Sequence, residues 1–190
     1  MTSANPRAMR ADARRNYERL LAEARRAFGQ SGIDASLEEI ARRAEVGIGT
    51  LYRHFPTREA LLEALLRERF DAQARAAERL LEHASPIEAL KAWAVRMAEA
   101  STVYRGLVEA LADALADESS QLYQSCHGMR ESAGRLVERA HRAGELPEDV
   151  TVLEVLLLVN AAAWSSERAP GGEPSLERVV DLVFLGLRAR

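Results

Sequence analysis

The 190-residue chain is 47% hydrophobic and 29% charged, ordinary proportions for a folded globular protein and too apolar for a disordered one. Its formal net charge of −3 is divided unevenly: residues 1–56 hold ten arginines against seven acids, and residues 57–190 carry −6. No apolar run approaches the ~18 residues that span a bilayer, arginines around Met9 replace a signal-peptide core, and the lone Cys126 excludes an intrachain disulfide. The expected location is cytoplasmic.

The chain reads as helix after helix, nine in all, with no strand alternation. Tyr17, Leu20, Leu21, Ala24 and Phe28 recur at helical spacing and give the first helix one apolar stripe, which ends at Ser31-Gly32. Ser36 with Glu39 predicts a capping box and a second helix buried through Leu37, Ile40, Ala41 and Ala44. Val46-Gly47-Ile48-Gly49 breaks the pattern before a short aromatic segment ending at Phe55. Thr57 caps a long helix carrying Leu61, Leu62, Leu65, Leu66 and Phe70. Ser85-Pro86 with Glu88 opens the next. Gly106 separates it from a shorter helix with Leu107, Leu111 and Leu115, and a longer one spans roughly 119–143. Thr151 with Glu154 caps a helix that is apolar on nearly all sides. The last helix carries the stripe Leu176, Val179, Val180, Val183, Phe184 and Leu187.

Two short helices around a Gly-containing turn, from Ser36 to Phe55, have the layout of a DNA-binding helix-turn-helix. Ala41 and Ala44 are small enough for helices to cross closely. Gly47 can turn left-handed without Cβ strain. The second helix offers Thr50, Tyr52, Arg53 and His54 to phosphates or base edges, and Gly49 lets the backbone approach DNA. The basic arm of Arg7, Arg10, Arg14 and Arg15 has two readings, a phosphate or minor-groove contact and a solvated surface.

Ser36-Leu37-Glu38-Glu39-Ile40-Ala41, then Ala44 through Phe55, then Thr57-Arg58-Glu59-Ala60-Leu61-Leu62 resembles the TetR family of bacterial regulators. The resemblance implies an all-α, nine-helix architecture: a three-helix head over 1–56 that binds DNA, and a helical ligand-binding and dimerisation body over 57–190. It places Ile48, Gly49 and Thr50 at the major groove and Tyr52 and His54 on phosphates. Ser36 becomes a cap that also meets a phosphate, and Arg58 stands where the family usually has a backbone-gripping lysine. Glu45 replaces the usual turn glycine, so the left-handed residue is either Gly47 or Glu45 itself. The implied partners are a double-stranded DNA operator, a second copy of the chain and a small organic effector, with no membrane, and the implied mode is repression relieved by that effector.

In the body, Trp93, Met97, Tyr123, His127, Asn160 and Trp164 are the candidates to line an apolar effector cavity, with Tyr104, Cys126 and Met129 as further bulky neighbours. Gly128 and Gly134, inside a helix, serve either close packing or room for a ligand. Leu153, Leu156, Leu157, Val179, Val183, Phe184 and Leu187, with Trp164, are expected to form a four-helix dimer interface. No metal, cofactor or catalytic residue is expected. Cys126 and His127 point apart on a helix, His127 and His141 lie too far apart along it, and no phosphate loop or nucleophile elbow is present. Two other classes compete with the regulator: a helical partner-binding protein without DNA affinity, and a helical enzyme with scattered catalytic groups.

Overall fold

The computed structural model describes residues 6–103, 110–169, 171 and 173–187, with side chains at 11–99, 110–169, 171 and 173–187. The expected roles of Tyr104, Gly106 and Leu107, and of the Arg7 and Arg10 side chains, lie outside the described residues. Among the described residues there is no strand, one 3-10 turn (Gly32–Asp34) and nine α-helices. These are α1 (Pro6–Ser31), α2 (Leu37–Arg43), α3 (Ile48–His54), α4 (Arg58–Leu80), α5 (Pro86–Val103), α6 (Ala112–Ala116), α7 (Gln121–Arg142), α8 (Val152–Glu167) and α9 (Leu176–Leu187). They fall into two compact units. One runs to Leu66 and takes in 110–112; the other runs from Arg67 to Val103 and from Asp113 onward.

In the first unit the α1 stripe is buried at Leu20, Leu21, Ala24 and Phe28, and α1 packs on α2. Each such large apolar side chain contributes about 1.5–3 kcal/mol on burial. The helix ends where Gly32 turns left-handed at φ 71. Ser36 then caps α2, its Oγ accepting from the Glu39 amide at 3.2 Å. The capping box is only half formed. The Glu39 carboxylate instead accepts from Arg42 at 2.6 and 2.8 Å and from Arg43 at 2.7 Å, two guanidiniums outcompeting one backbone N–H. Thr57 caps α4 as expected, its Oγ1 accepting from the Ala60 amide at 3.1 Å.

In the second unit α5 packs on α7, α8 and α9, and α8 packs on α7 and α9. Trp93 is fully enclosed, and its Nε1 donates to the Gln73 carbonyl at 3.1 Å. Ser85 caps α5 weakly, accepting from the Glu88 amide at 3.4 Å, while its own N–H goes to His83 Nδ1 rather than to Glu88. Thr151 and Glu154 complete the full reciprocal box at the start of α8. Lys91, the one lysine of the sequence, ties α5 to α9 through Asp181 at 2.7 Å.

Candidate nucleic-acid interface

The turn between α2 and α3 resolves the choice left by the sequence. Glu45 takes the left-handed conformation, φ 54, and Gly47 does not: at φ −66 and ψ 146 it is the extended N-cap of α3. Glu45 is ion-paired with Arg19 of α1. Leu51 and Phe55 then bury the inner side of α3. Its outer side carries Ile48 and Tyr52, large hydrophobics left 39% and 44% exposed, together with Gly49 and Arg53. Thr50 and His54 lie half-buried at the margin. His54 is set edge-on to Tyr17, with ring centroids 5.9 Å apart, and Tyr17 also contacts Phe55 at 5.1 Å. The ring of His54 is therefore oriented from behind by α1.

Two residues given phosphate roles by the resemblance are already occupied. The Ser36 hydroxyl accepts the α2 cap bond and donates to Glu38 Oε2 at 3.0 Å. Backbone hydrogen bonding and that Ser36 bond hold the Glu38 carboxyl below its ordinary range, with a smaller effect of Arg58. Arg58 lies half-buried and its Nη1 donates to the carbonyls of Ile33 and Ala35 at 2.8 and 2.7 Å. It braces the connection into α2 rather than reaching outward, because those loop carbonyls have no helical partner of their own. Arg14 pairs with Glu18 at 2.9 Å and Arg15 pairs with Asp12. Such exposed pairs are worth at most about 1 kcal/mol and exchange readily for phosphate.

The proposed effector residues do not gather. Trp93 and Met97 are core, whereas Trp164 is 58% exposed on α8, with the Arg168 guanidinium 4.1 Å from its ring centroid. Asn160 is exposed too, and its Nδ2 donates to the Leu156 carbonyl at 2.9 Å. A cavity shared by both tryptophans is thereby excluded, since one points into the unit and the other out of it. Tyr123 stacks on His127 with centroids 6.0 Å apart. Of the six candidates, His127 alone borders the open groove of about 980 Å³ lined by Asp71 and Ala74 of α4 and by a face of α7. Gly128 and Gly134 border the same groove, and a Cβ at either would meet nothing within 4 Å. Close helix packing therefore does not explain them.

The expected dimer set divides in two. Leu156 and Phe184 are buried inside the chain and belong to its own core. Leu153 and Leu157 are exposed, and Val179, Val183 and Leu187 are half-buried. Three residues the sequence reading missed, Leu158, Leu182 and Leu185, are exposed large hydrophobics as well. Their signal was the apolar character of α8 and α9 on more than one side. Burial pushes the Cys126 thiol up, so it is not a thiolate at neutral pH. Among the described residues no cluster of His, Cys, Asp or Glu could hold a metal ion, and no helix is long and apolar enough to cross a membrane.

An all-helical chain with a capped helix, a tight turn and a second helix that exposes an isoleucine, a tyrosine and an arginine is a helix-turn-helix regulator by architecture. Comparisons with known proteins agree. Residues 20–65 match the family described as bacterial regulatory proteins, tetR family, and residues 85–189 match the transcriptional regulator SbtR-like, C-terminal domain. The chain is 37% identical to a TetR transcriptional regulator of Streptomyces coelicolor, with TM-score 0.70, covering 90% of this chain and 98% of that one. It is 34% identical to a TetR transcription regulatory protein of Mycobacterium vanbaalenii, with TM-score 0.66 and coverage of 95% and 99%. No curated protein matches. The chain belongs to the TetR family, whose members are DNA-binding transcription regulators rather than enzymes and are typically dimeric.

Proposed function

We propose that this chain is a cytoplasmic repressor that binds a near-palindromic operator as a homodimer and leaves it when a small organic ligand binds the body. In this reading residues 1–56 are the DNA-reading head and 57–190 the body. The observation that carries it is the outer side of α3, where Ile48 and Tyr52 stay exposed beside Gly49 and Arg53. Large apolar groups on a seven-residue helix gain nothing from water. In a major groove Ile48 meets thymine methyls, and Tyr52 and His54 donate to phosphates, while the open backbone at Gly49 allows close approach.

Leu153, Leu157 and Trp164 on α8, with Leu182 and Leu185 on α9, support the dimer. A second copy covering them buries apolar surface that one chain leaves in water, and closes a four-helix interface with two-fold symmetry. The groove bordered by Asp71, His127, Gly128 and Glu131 is the best supported place for the effector, because two helix glycines open into it. A ligand there acts only through its differential affinity for two positions of α4, commonly about 1–3 kcal/mol.

Selection of bound duplexes from a random pool tests the reading. The enriched sequences are expected to hold two inverted half-sites on successive major grooves, centred roughly 34–36 Å apart or a multiple of that. Enrichment of a single unpaired half-site, or of none, contradicts it.

A further inference from the structure

α3 turns by about 100° per residue, which puts Gly49 and Arg53 on the side opposite the buried Leu51 and Phe55. Arg53 does not extend from its place near the end of the helix. It folds back along the outer face to the first turn, where Nε donates to the Gly49 carbonyl at 3.3 Å and Nη2 to Thr50 Oγ1 at 2.8 Å. The space above Gly49 stays open beside it, since a Cβ there would meet nothing within 4 Å.

The electrostatic setting of Arg53 differs from that of its neighbours. Arg14, Arg15, Arg19, Arg42 and Arg43 are each ion-paired with a carboxylate, and Arg58 is bound to carbonyls. Arg53 has no carboxylate partner among the described residues. A guanidinium carries five N–H donors, so the two tethers leave three, two of them side by side on the Nη1–Nη2 edge. That edge is a planar fork whose side chain has already lost much of its rotamer freedom, so little more is lost on binding. Thr50 spends a lone pair on the fork, and its own hydroxyl hydrogen has no acceptor among the described residues.

We propose that Arg53 determines the sequence specificity of this interface: held by Thr50, its guanidinium presents paired donors to the O6 and N7 acceptors of a guanine in the major groove. The proposal rests on the reading of α3 as the element that enters that groove. Helix-turn-helix recognition helices contact base edges with their N-terminal residues, and the fold-back brings the Arg53 charge to that turn. Thr50 is then a positioning residue for the fork.

The test uses the full chain, a pool-selected duplex and versions of it substituted at each half-site position, with affinities read by fluorescence anisotropy. The variants are Arg53→Met, Thr50→Val and Thr50→Ser, each checked for folding by its melting curve. The unaltered chain is expected to prefer one G·C pair per half-site by about tenfold or more. Arg53→Met is expected to abolish the preference at that position alone. Thr50→Val weakens it, and Thr50→Ser, which keeps the oxygen, retains it. An even loss of affinity for every duplex in Arg53→Met, with a salt slope smaller by about two, one for each head, makes Arg53 a phosphate contact and overturns the proposal. Unchanged preference in Arg53→Met overturns it too. A pool that yields no bound duplex at all removes the DNA-binding reading beneath it.

Discussion

Arg58 and Ala35 are joined by a 2.7 Å hydrogen bond from Nη1 to the carbonyl, across 23 residues of sequence. The same nitrogen donates to Ile33 at 2.8 Å, so one guanidinium satisfies two loop carbonyls just before α2. Hydrogen bonds to charged groups contribute about 1.5–3 kcal/mol each when partly buried. Arg58→Ala is therefore expected to destabilise the first unit by roughly 3 kcal/mol or more, read as a lower urea midpoint. DNA affinity falls with it while the salt slope stays the same. A slope reduced by about two units, one for each head, without loss of stability, would return Arg58 to the phosphate contacts.

Glu45 sits in a backbone region that costs a residue with a Cβ about 1–2 kcal/mol. Its ion pair with Arg19 returns little, because both side chains are well exposed. Glu45→Gly is expected to raise stability by about 0.5–1 kcal/mol, and Glu45→Val to lower it. A less stable Glu45→Gly chain would show that the Arg19 contact outweighs the backbone strain.

The surfaces of α8 and α9 separate two kinds of substitution. Phe184 is core, and Phe184→Asp buries an unpaired charge, so the second unit is expected to unfold by circular dichroism. Leu157 and Leu185 are 61% and 67% exposed, so Leu157→Glu or Leu185→Glu is expected to leave a folded monomer by light scattering. A folded dimer in both leucine variants would place the interface elsewhere.

Glu39 holds Arg42 and Arg43 in one carboxylate, and hydrogen bonds from Arg42 and then Arg43 pull its pKa from 4.5 down to about 2. With the folded pKa below the unfolded one, the pair supports the fold above pH 4.5, and that support is lost as the pH falls toward 2. Glu39→Gln is expected to remove that share of the acid sensitivity. It also frees two arginines in each head, so affinity for random duplexes is expected to rise and the salt slope of the dimer to grow by up to about four. Unchanged non-specific affinity would show that Arg42 and Arg43 face away from DNA.

The nine helices and the helix-turn-helix were legible because local signals agree: the α1 stripe, the small Ala41 and Ala44, and oxygens at Ser36, Thr57 and Thr151 that cap helices in the structure. What was not legible depends on competition or on distance. Glu39 and Glu88 were each offered a backbone N–H, but arginines claimed one and His83 displaced the other. Arg58 met carbonyls more than 20 residues away that no spacing rule reveals. α8 is apolar nearly all round, so periodicity could not tell Leu156, which faces inward, from Leu157, which faces out. For the same reason Trp164 read as a pocket wall when it lies on the surface.

The salt dependence of affinity for the enriched duplex tests the central claim most directly. The chain as a whole carries −3, so attraction to DNA has to come from its local arginine-bearing surface rather than from net charge. Each neutralised phosphate contributes about −0.9 to the slope of log affinity against log salt. Two heads gripping at least two phosphates each give a slope of about −4 or steeper, and that is the expected result. An affinity that stays flat as salt is raised, or a slope near zero, would contradict DNA binding through α3.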